Sequence, residues 1–138
     1  MLQPRMPVEN HVRALLIEDD AAHTQQAITI FKTLGLEVQS VVTVLAARNY
    51  LEDVAAGTHP APHLIVLDLA FPLESGFEVL RFWKSNAALQ TIQVIVWTRA
   101  QEQERKIAAY FNIAAVVQKS HGPKQLEDAL KRVIAGIV

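Results

Sequence analysis

The chain has 138 residues, a formal net charge of −1 and 51% apolar residues, which suits one domain with a substantial core. It contains no cysteine, which excludes disulfides, thiolate metal sites and cysteine nucleophiles. The near-neutral charge offers no field for nucleic acid, no apolar run approaches the ~20 residues that span a bilayer, and the N-terminal stretch lacks the apolar core of a secretory signal; the expected location is the cytoplasm.

Residues 1–11 carry two prolines and no periodicity and read as a flexible N-terminal arm, with the folded domain over 12–138. Val12 to Ile17 is a short apolar run ending in Glu18, Asp19 and Asp20, the pattern of a buried parallel strand. Ala21 to Leu34 reads as a helix with Ala27, Ile28, Phe31 and Leu34 on one face, stopped by Gly35. Glu37 to Val42 is a second strand. Thr43 caps a helix running to about Ala56 and presenting Leu45, Ala46, Tyr50 and Leu51. His63 to Leu67 is the third strand and ends in Asp68. Ser75 to Ser85 is a helix with Phe77, Leu80 and Trp83 inward. Ile92 to Trp97 is the fourth strand and ends in Thr98. Gln101 to Phe111 is a polar-faced helix followed by Asn112, an expected left-handed cap. Ala114 to Val117 is the fifth strand, with Gln118 and Lys119 after it. Lys124 to Ile137 is the last helix, with Leu126, Leu130, Val133 and Ile134 facing the core. Five strands alternating with five helices predict an α/β fold, a parallel sheet covered on both faces.

Ligands of such sheets bind outside the carboxyl ends of the strands. Strand one delivers Glu18, Asp19 and Asp20 there, strand three Asp68, strand four Thr98 and strand five Lys119. Clustered carboxylates repel one another, and a divalent cation relieves that. Oxygen-only ligands point to a hard ion, and Mg²⁺ suits a site that also engages phosphate. A carboxylate nucleophile, a metal, a hydroxyl and an ammonium together serve phosphoryl transfer, which depends on positioning and on neutralising phosphoryl oxygens. Asp20 reads as a helix N-cap. His23, with no partner at ligand spacing, and His121 read as solvated. Trp83 and Trp97 read as core, Gly76 as part of the turn into the third helix, and Pro72 as a stiffener of the loop.

The segments LLIEDD, LIVLDLAFPLESGFEVL, VIVWT and VVQK, with Pro72 four and Gly76 eight residues after Asp68, resemble the response-regulator receiver domains of bacterial two-component signalling along about 120 residues. The resemblance implies a flavodoxin-like sheet with strand order 2-1-3-4-5. It implies Asp68 as phosphoacceptor, Thr98 and Lys119 as groups that engage the phosphoryl oxygens, and Mg²⁺ on Glu18, Asp19, Asp68 and the backbone carbonyl of Ala70. It implies a sensor histidine kinase or phosphotransfer protein as donor, and no enzymatic activity beyond the protein's own phosphorylation and dephosphorylation. With no output domain in the sequence, signalling is expected through protein contacts, including a homodimer through helix 4, strand 5 and helix 5, where Tyr110 and Phe111 place aromatic area.

Three positions depart from the family pattern. Ser120 stands where a proline usually follows the lysine, often with a cis bond, Val116 where an aromatic switch residue is common, and Arg99 where a small residue follows the hydroxyl. These departures suit an alternative, a degenerate receiver that binds protein unphosphorylated. A small phosphatase would want a carboxylate two residues after the nucleophile, and that position is Ala70. Ala70 and Ala100 cannot orient water through their side chains, so slow dephosphorylation is expected.

Overall fold

The computed structural model describes residues 11–137. Of the predicted arm, all but His11 lies outside the described residues. The elements are β1 (Arg13–Ile17), α1 (Ala21–Thr33), β2 (Glu37–Val41), α2 (Val44–Ala55), β3 (Leu64–Leu67), α3 (Phe77–Ser85), β4 (Gln93–Thr98), α4 (Glu102–Ala109), β5 (Ala115–Gln118) and α5 (Pro123–Ile137). Every neighbouring strand pair is parallel and the order is β2-β1-β3-β4-β5, as the sequence led us to expect.

Successive strand residues point to opposite faces, and the two apolar clusters sort accordingly. Leu15, Ile17, Ile65, Leu67, Val94 and Val96 face one way and pack under α2, α3 and α4. Ala14, Leu16, Leu64, Val66, Ile95 and Trp97 face the other way and pack under α1 and α5. Burial on both faces is why these strands read as continuous apolar runs. Each fully buried Leu, Ile or Phe contributes about 1.5–3 kcal/mol.

Local chemistry sets the ends. Asp20 caps α1 by accepting the His23 backbone N–H at 2.8 Å, and Thr43 caps α2 by accepting that of Ala46 at 3.0 Å. Gly35 (φ 76°) follows α1 and Asn112 (φ 59°) follows α4 in the left-handed region, as the sequence predicts. One helix face differs from the prediction: α2 buries Val44, Ala47, Leu51 and Val54, and Leu45 is 64% exposed. The cap at Thr43 turns Val44 to the sheet, and Leu45, one residue on, points about 100° away around the helix. On α1, Ile30 is buried with Ala27 and Phe31, and Ile28 only flanks them.

His63, just before β3, gives a pH prediction. Its Nδ1 accepts the Arg13 backbone N–H at 3.0 Å, which requires a neutral ring. Burial, and secondarily the Arg13 charge, hold its pKa below the usual histidine value. The unfolded chain therefore binds this proton at a pH where the folded one refuses it. The stabilisation is full above about pH 6.5 and is lost as pH falls through the folded-state value. His23, lowered by burial and then by Lys119, acts in the same sense. The His63 contribution to Tm is expected to fall between pH 7.5 and pH 5.5, against an opposite contribution from Glu18, whose pKa burial raises, so His63→Asn, which keeps an acceptor without titrating, should lose less Tm than wild type over that range. An unchanged slope in scanning calorimetry would refute the assignment to His63.

Candidate functional site

The register aligns the strand ends. Ile17 lies opposite Leu67, Leu67 opposite Val96, and Thr98 opposite Gln118, so the residues that follow share one edge of the sheet. Glu18 is fully buried and Asp68 is 5% exposed. Their backbones stay anchored, Glu18 N–H donating to the Val41 carbonyl and Asp68 N–H to that of Ile17, both at 3.1 Å.

Asp68 is the centre of the polar network. Its Oδ1 accepts from the Thr98 hydroxyl at 2.6 Å and from the Ala70 backbone N–H at 3.1 Å. Its Oδ2 accepts from Lys119 Nζ at 3.0 Å. Thr98 is itself buried, and its hydroxyl accepts the Ala100 N–H at 3.1 Å. Lys119 also donates to Glu18 Oε1 at 2.6 Å, and the three side chains are only 3% (Lys119), 1% (Glu18) and 6% (Asp68) exposed. Burial pushes the Glu18 pKa up, the Lys119 hydrogen bond opposes it, and the Asp68 charge adds to the rise. Asp19 is exposed, yet one oxygen each of Glu18, Asp19 and Asp68 lie within 4.8 Å of one another. Three carboxylate donors and no soft ligand match a hard cation. A cavity of about 330 Å³ opens over the cluster, with Asp19, Asp68, Ala70, Arg99 and Lys119 on its walls. A larger one, about 620 Å³, opens at the opposite end of the sheet beside Arg13, His63 and Arg132, and among the described residues no carboxylate lines it.

Residues 14–131 match the family model for the response regulator receiver domain. The chain belongs to that family. The receiver domain is 32% identical over 116 residues to the response regulator Rcp1 of Synechocystis, an overlap covering 81% of this chain and 79% of Rcp1. It spans about half the length of several other curated relatives it matches. Among solved structures it superposes on a signal receiver domain from Clostridium thermocellum (TM-score 0.78, 25% identity, 89% of this chain and 97% of that one). It also superposes on the Mn²⁺-bound form of Rcp1 (TM-score 0.72, 30% identity, 90% of each chain). A third neighbour is a phosphorylated cyanobacterial phytochrome response regulator, RcpA (TM-score 0.72, 27% identity, 92% of this chain and 91% of that one). Receiver domains are phosphorylation-dependent signalling proteins of two-component systems. Among the described residues, no helix of this one is long and apolar enough to cross a membrane.

Glu18, Asp19, Asp68, Thr98 and Lys119 thus come together in the receiver domain, and Ala70 lines their cavity. Two expectations, for His23 and Phe111, need correcting. His23 is not a solvated bystander: its Nδ1 lies 3.3 Å from Lys119 Nζ, and it lines the cavity. Its position in the first turn after the Asp20 cap, facing the strand ends, is the signal that could have found it. Gly76 stands in the turn that leads into α3, as expected, with an ordinary φ of −62°. A Cβ there would sit 2.3 Å from the Asp68 carbonyl oxygen and 2.7 Å from Leu69 Cα, so the glycine lets α3 approach the backbone that carries Asp68. Phe111 is half-buried near Phe77, ring centroids 6.3 Å apart, whereas Tyr110 is 87% exposed. Arg99 is exposed and stands on the cavity wall. The Lys119–Ser120 bond is trans, and Lys119 nevertheless reaches both acids.

Proposed function

We propose that this receiver domain takes a phosphoryl group onto Asp68 from a sensor histidine kinase, a phosphotransfer protein or a small phosphodonor. Glu18, Asp19, Asp68 and the carbonyl of Ala70 would hold Mg²⁺. The observation that carries this reading is the Asp68 carboxylate fixed between the Thr98 hydroxyl and the Lys119 ammonium, with two further acids beside it.

An Asp68 oxygen attacks phosphorus while the bond to the donor breaks, and the donor leaves with that electron pair. Lys119 and Thr98 stand where they can receive the phosphoryl oxygens as charge spreads over them. Three carboxylates against one ammonium would repel an anionic donor. Mg²⁺, when bound, supplies the positive charge that offsets this repulsion. Signal output would run through the surface of α4, β5 and α5, to a partner or a second copy. Ile107 and Tyr110 expose apolar area there, and aromatic side chains are enriched in interface cores.

Incubation of the chain with Mg²⁺ and a small phosphodonor is expected to add one phosphoryl group by intact mass, mapped to the peptide holding Asp68. No gain, with or without Mg²⁺, would favour the degenerate alternative. Decay after donor removal is expected to be slow, because positioned proton or water handling is worth about 10²–10⁴-fold and Ala70, on the cavity wall, offers no side-chain partner to water. Ala70→Asn should shorten the lifetime; an unchanged lifetime would remove that side chain from the account.

A further inference from the structure

We propose that His23, together with the face of Trp97, is a positioning device that keeps the Lys119 ammonium over Asp68 once the acids around it are otherwise engaged. This rests on the reading of Asp68 as the phosphoacceptor.

Lys119 Nζ has four neighbours of two kinds. Two are carboxylates, Glu18 Oε1 at 2.6 Å and Asp68 Oδ2 at 3.0 Å. Both belong to the acidic cluster that would take the cation, so neither can hold the ammonium in the same way through the reaction. The other two carry no charge to be claimed: the Trp97 ring, 4.9 Å from Nζ to its centroid, and His23 Nδ1 at 3.3 Å. An ammonium over an indole face is favourable, the more so when shielded from water, and Trp97 is 1% exposed. His23 and Trp97 also brace each other edge to face, with centroids 5.6 Å apart at 79°.

The imidazole must choose between partners. Nδ1 is 3.0 Å from Asp20 Oδ2 as well as near Lys119. With its proton on Nδ1 the ring donates to Asp20; with the proton on Nε2 it accepts from Lys119. Asp20 already accepts the His23 backbone N–H at 2.8 Å as the cap of α1. Burial and the Lys119 charge favour the neutral ring. A neutral ring beside an ammonium places its lone pair on Nδ1, toward the charge. This support is useful here because Ser120 follows Lys119 in a trans linkage, and the short turn over Lys119–His121 is otherwise closed by the Gly122 N–H to Lys119 carbonyl bond at 3.1 Å and a His121–Gln125 side-chain contact at 3.2 Å.

The test compares His23→Leu, His23→Asn and His23→Gln, each first checked for an unchanged circular dichroism spectrum. An asparagine oxygen falls near the place of Nδ1, and a glutamine oxygen near that of Nε2. The rate of phosphoryl uptake from a small phosphodonor with Mg²⁺ is expected to fall about 10-fold or more in His23→Leu and His23→Gln, since small misplacements of a reacting group are costly. His23→Asn should stay within about 3-fold of wild type. Equal rates in all four proteins, or equal losses in Asn and Leu, would overturn the proposal. A second readout needs no phosphorylation: the ¹⁵N shifts of the His23 ring in the unphosphorylated chain should report Nε2–H and move in Lys119→Met. If Asp68 took no phosphoryl group, this spectrum would still decide; an Nδ1–H ring, or one indifferent to Lys119→Met, would overturn the proposal.

Discussion

Asp68→Asn is expected to abolish phosphoryl uptake while costing the fold little. A carboxamide is no nucleophile at neutral pH, so under the proposed function the mass gain disappears entirely. Stability follows different physics. In the wild-type site Glu18 and Asp68 share one ammonium, and the Asp68 charge adds to the rise that burial gives the Glu18 pKa. Asparagine removes that repulsion and leaves Lys119 paired with Glu18 alone. The amide oxygen can keep the Thr98 and Ala70 bonds, but its NH₂ then faces Lys119, donor against donor. These opposing effects should leave the change within about 1 kcal/mol. Lys119→Met should differ sharply, because it leaves two buried carboxylates without a cation, a loss of about 3–5 kcal/mol. Denaturant melts of the two variants, beside intact-mass labelling, test both statements. Labelling of Asp68→Asn at the wild-type rate would remove Asp68 from the mechanism. Equal melts for the two variants would refute the electrostatic account.

Gly76→Ala is expected to be the most damaging glycine-to-alanine change in the chain. The added Cβ meets the Asp68 carbonyl oxygen at 2.3 Å and Leu69 Cα at 2.7 Å. Both are backbone atoms, so no side chain can swing aside. Relief requires α3 to back away, which strains the Gly76 N–H bond to the Leu69 carbonyl at 2.9 Å. A loss of about 3 kcal/mol, or roughly 10 °C in Tm, follows from the usual cost of overpacking. The shift also reaches the Asp68–Ala70 backbone, so Mg²⁺ affinity should weaken in whatever protein remains folded. Gly136→Ala is the control. It lies within α5, and a Cβ there meets nothing within 4 Å. It should gain about 0.5–1 kcal/mol from helix propensity and a less flexible unfolded chain. Calorimetric scans of the pair check this; similar melting points would show that the close approach at Gly76 can relax.

Much of this was legible in the residues because the fold is built from buried strands with chemistry at their ends. Apolar runs such as LIVL followed by Asp68 announce both the strand and what it delivers. The strand order came with the family resemblance, which periodicity alone could not supply. The place of His23 beside the strand ends is legible from the Asp20 cap, but its pairing with Lys119 is not, because that partner lies 96 residues away and only the folded sheet brings them together. The turn at Gly76 is legible in the sequence, but the close approach of α3 to the Asp68–Leu69 backbone is not, because it exists only in the folded chain. The face of α2 differs from the expectation at its first turn, where Val44 rather than Leu45 is buried, while Leu51 is buried as expected; Val44 and Leu45 are both apolar, so their identities do not choose between them.

Each layer of the molecule holds one of its two tryptophans. Trp83 projects from α3 into the layer it shares with α2, with its indole N–H donating to the Leu89 carbonyl at 2.9 Å. Trp97 sits on the other face of the sheet with α1 and α5, its indole N–H finding no partner among the described residues. Two buried indoles in unlike surroundings are two intrinsic optical labels. Trp83→Phe and Trp97→Phe would each silence one, so emission from the other follows its own half of the protein through a melt. Coincident curves would mean that the sheet binds both layers into a single cooperative unit; separated curves would mean that the half carrying α1 and α5 loosens independently of the rest.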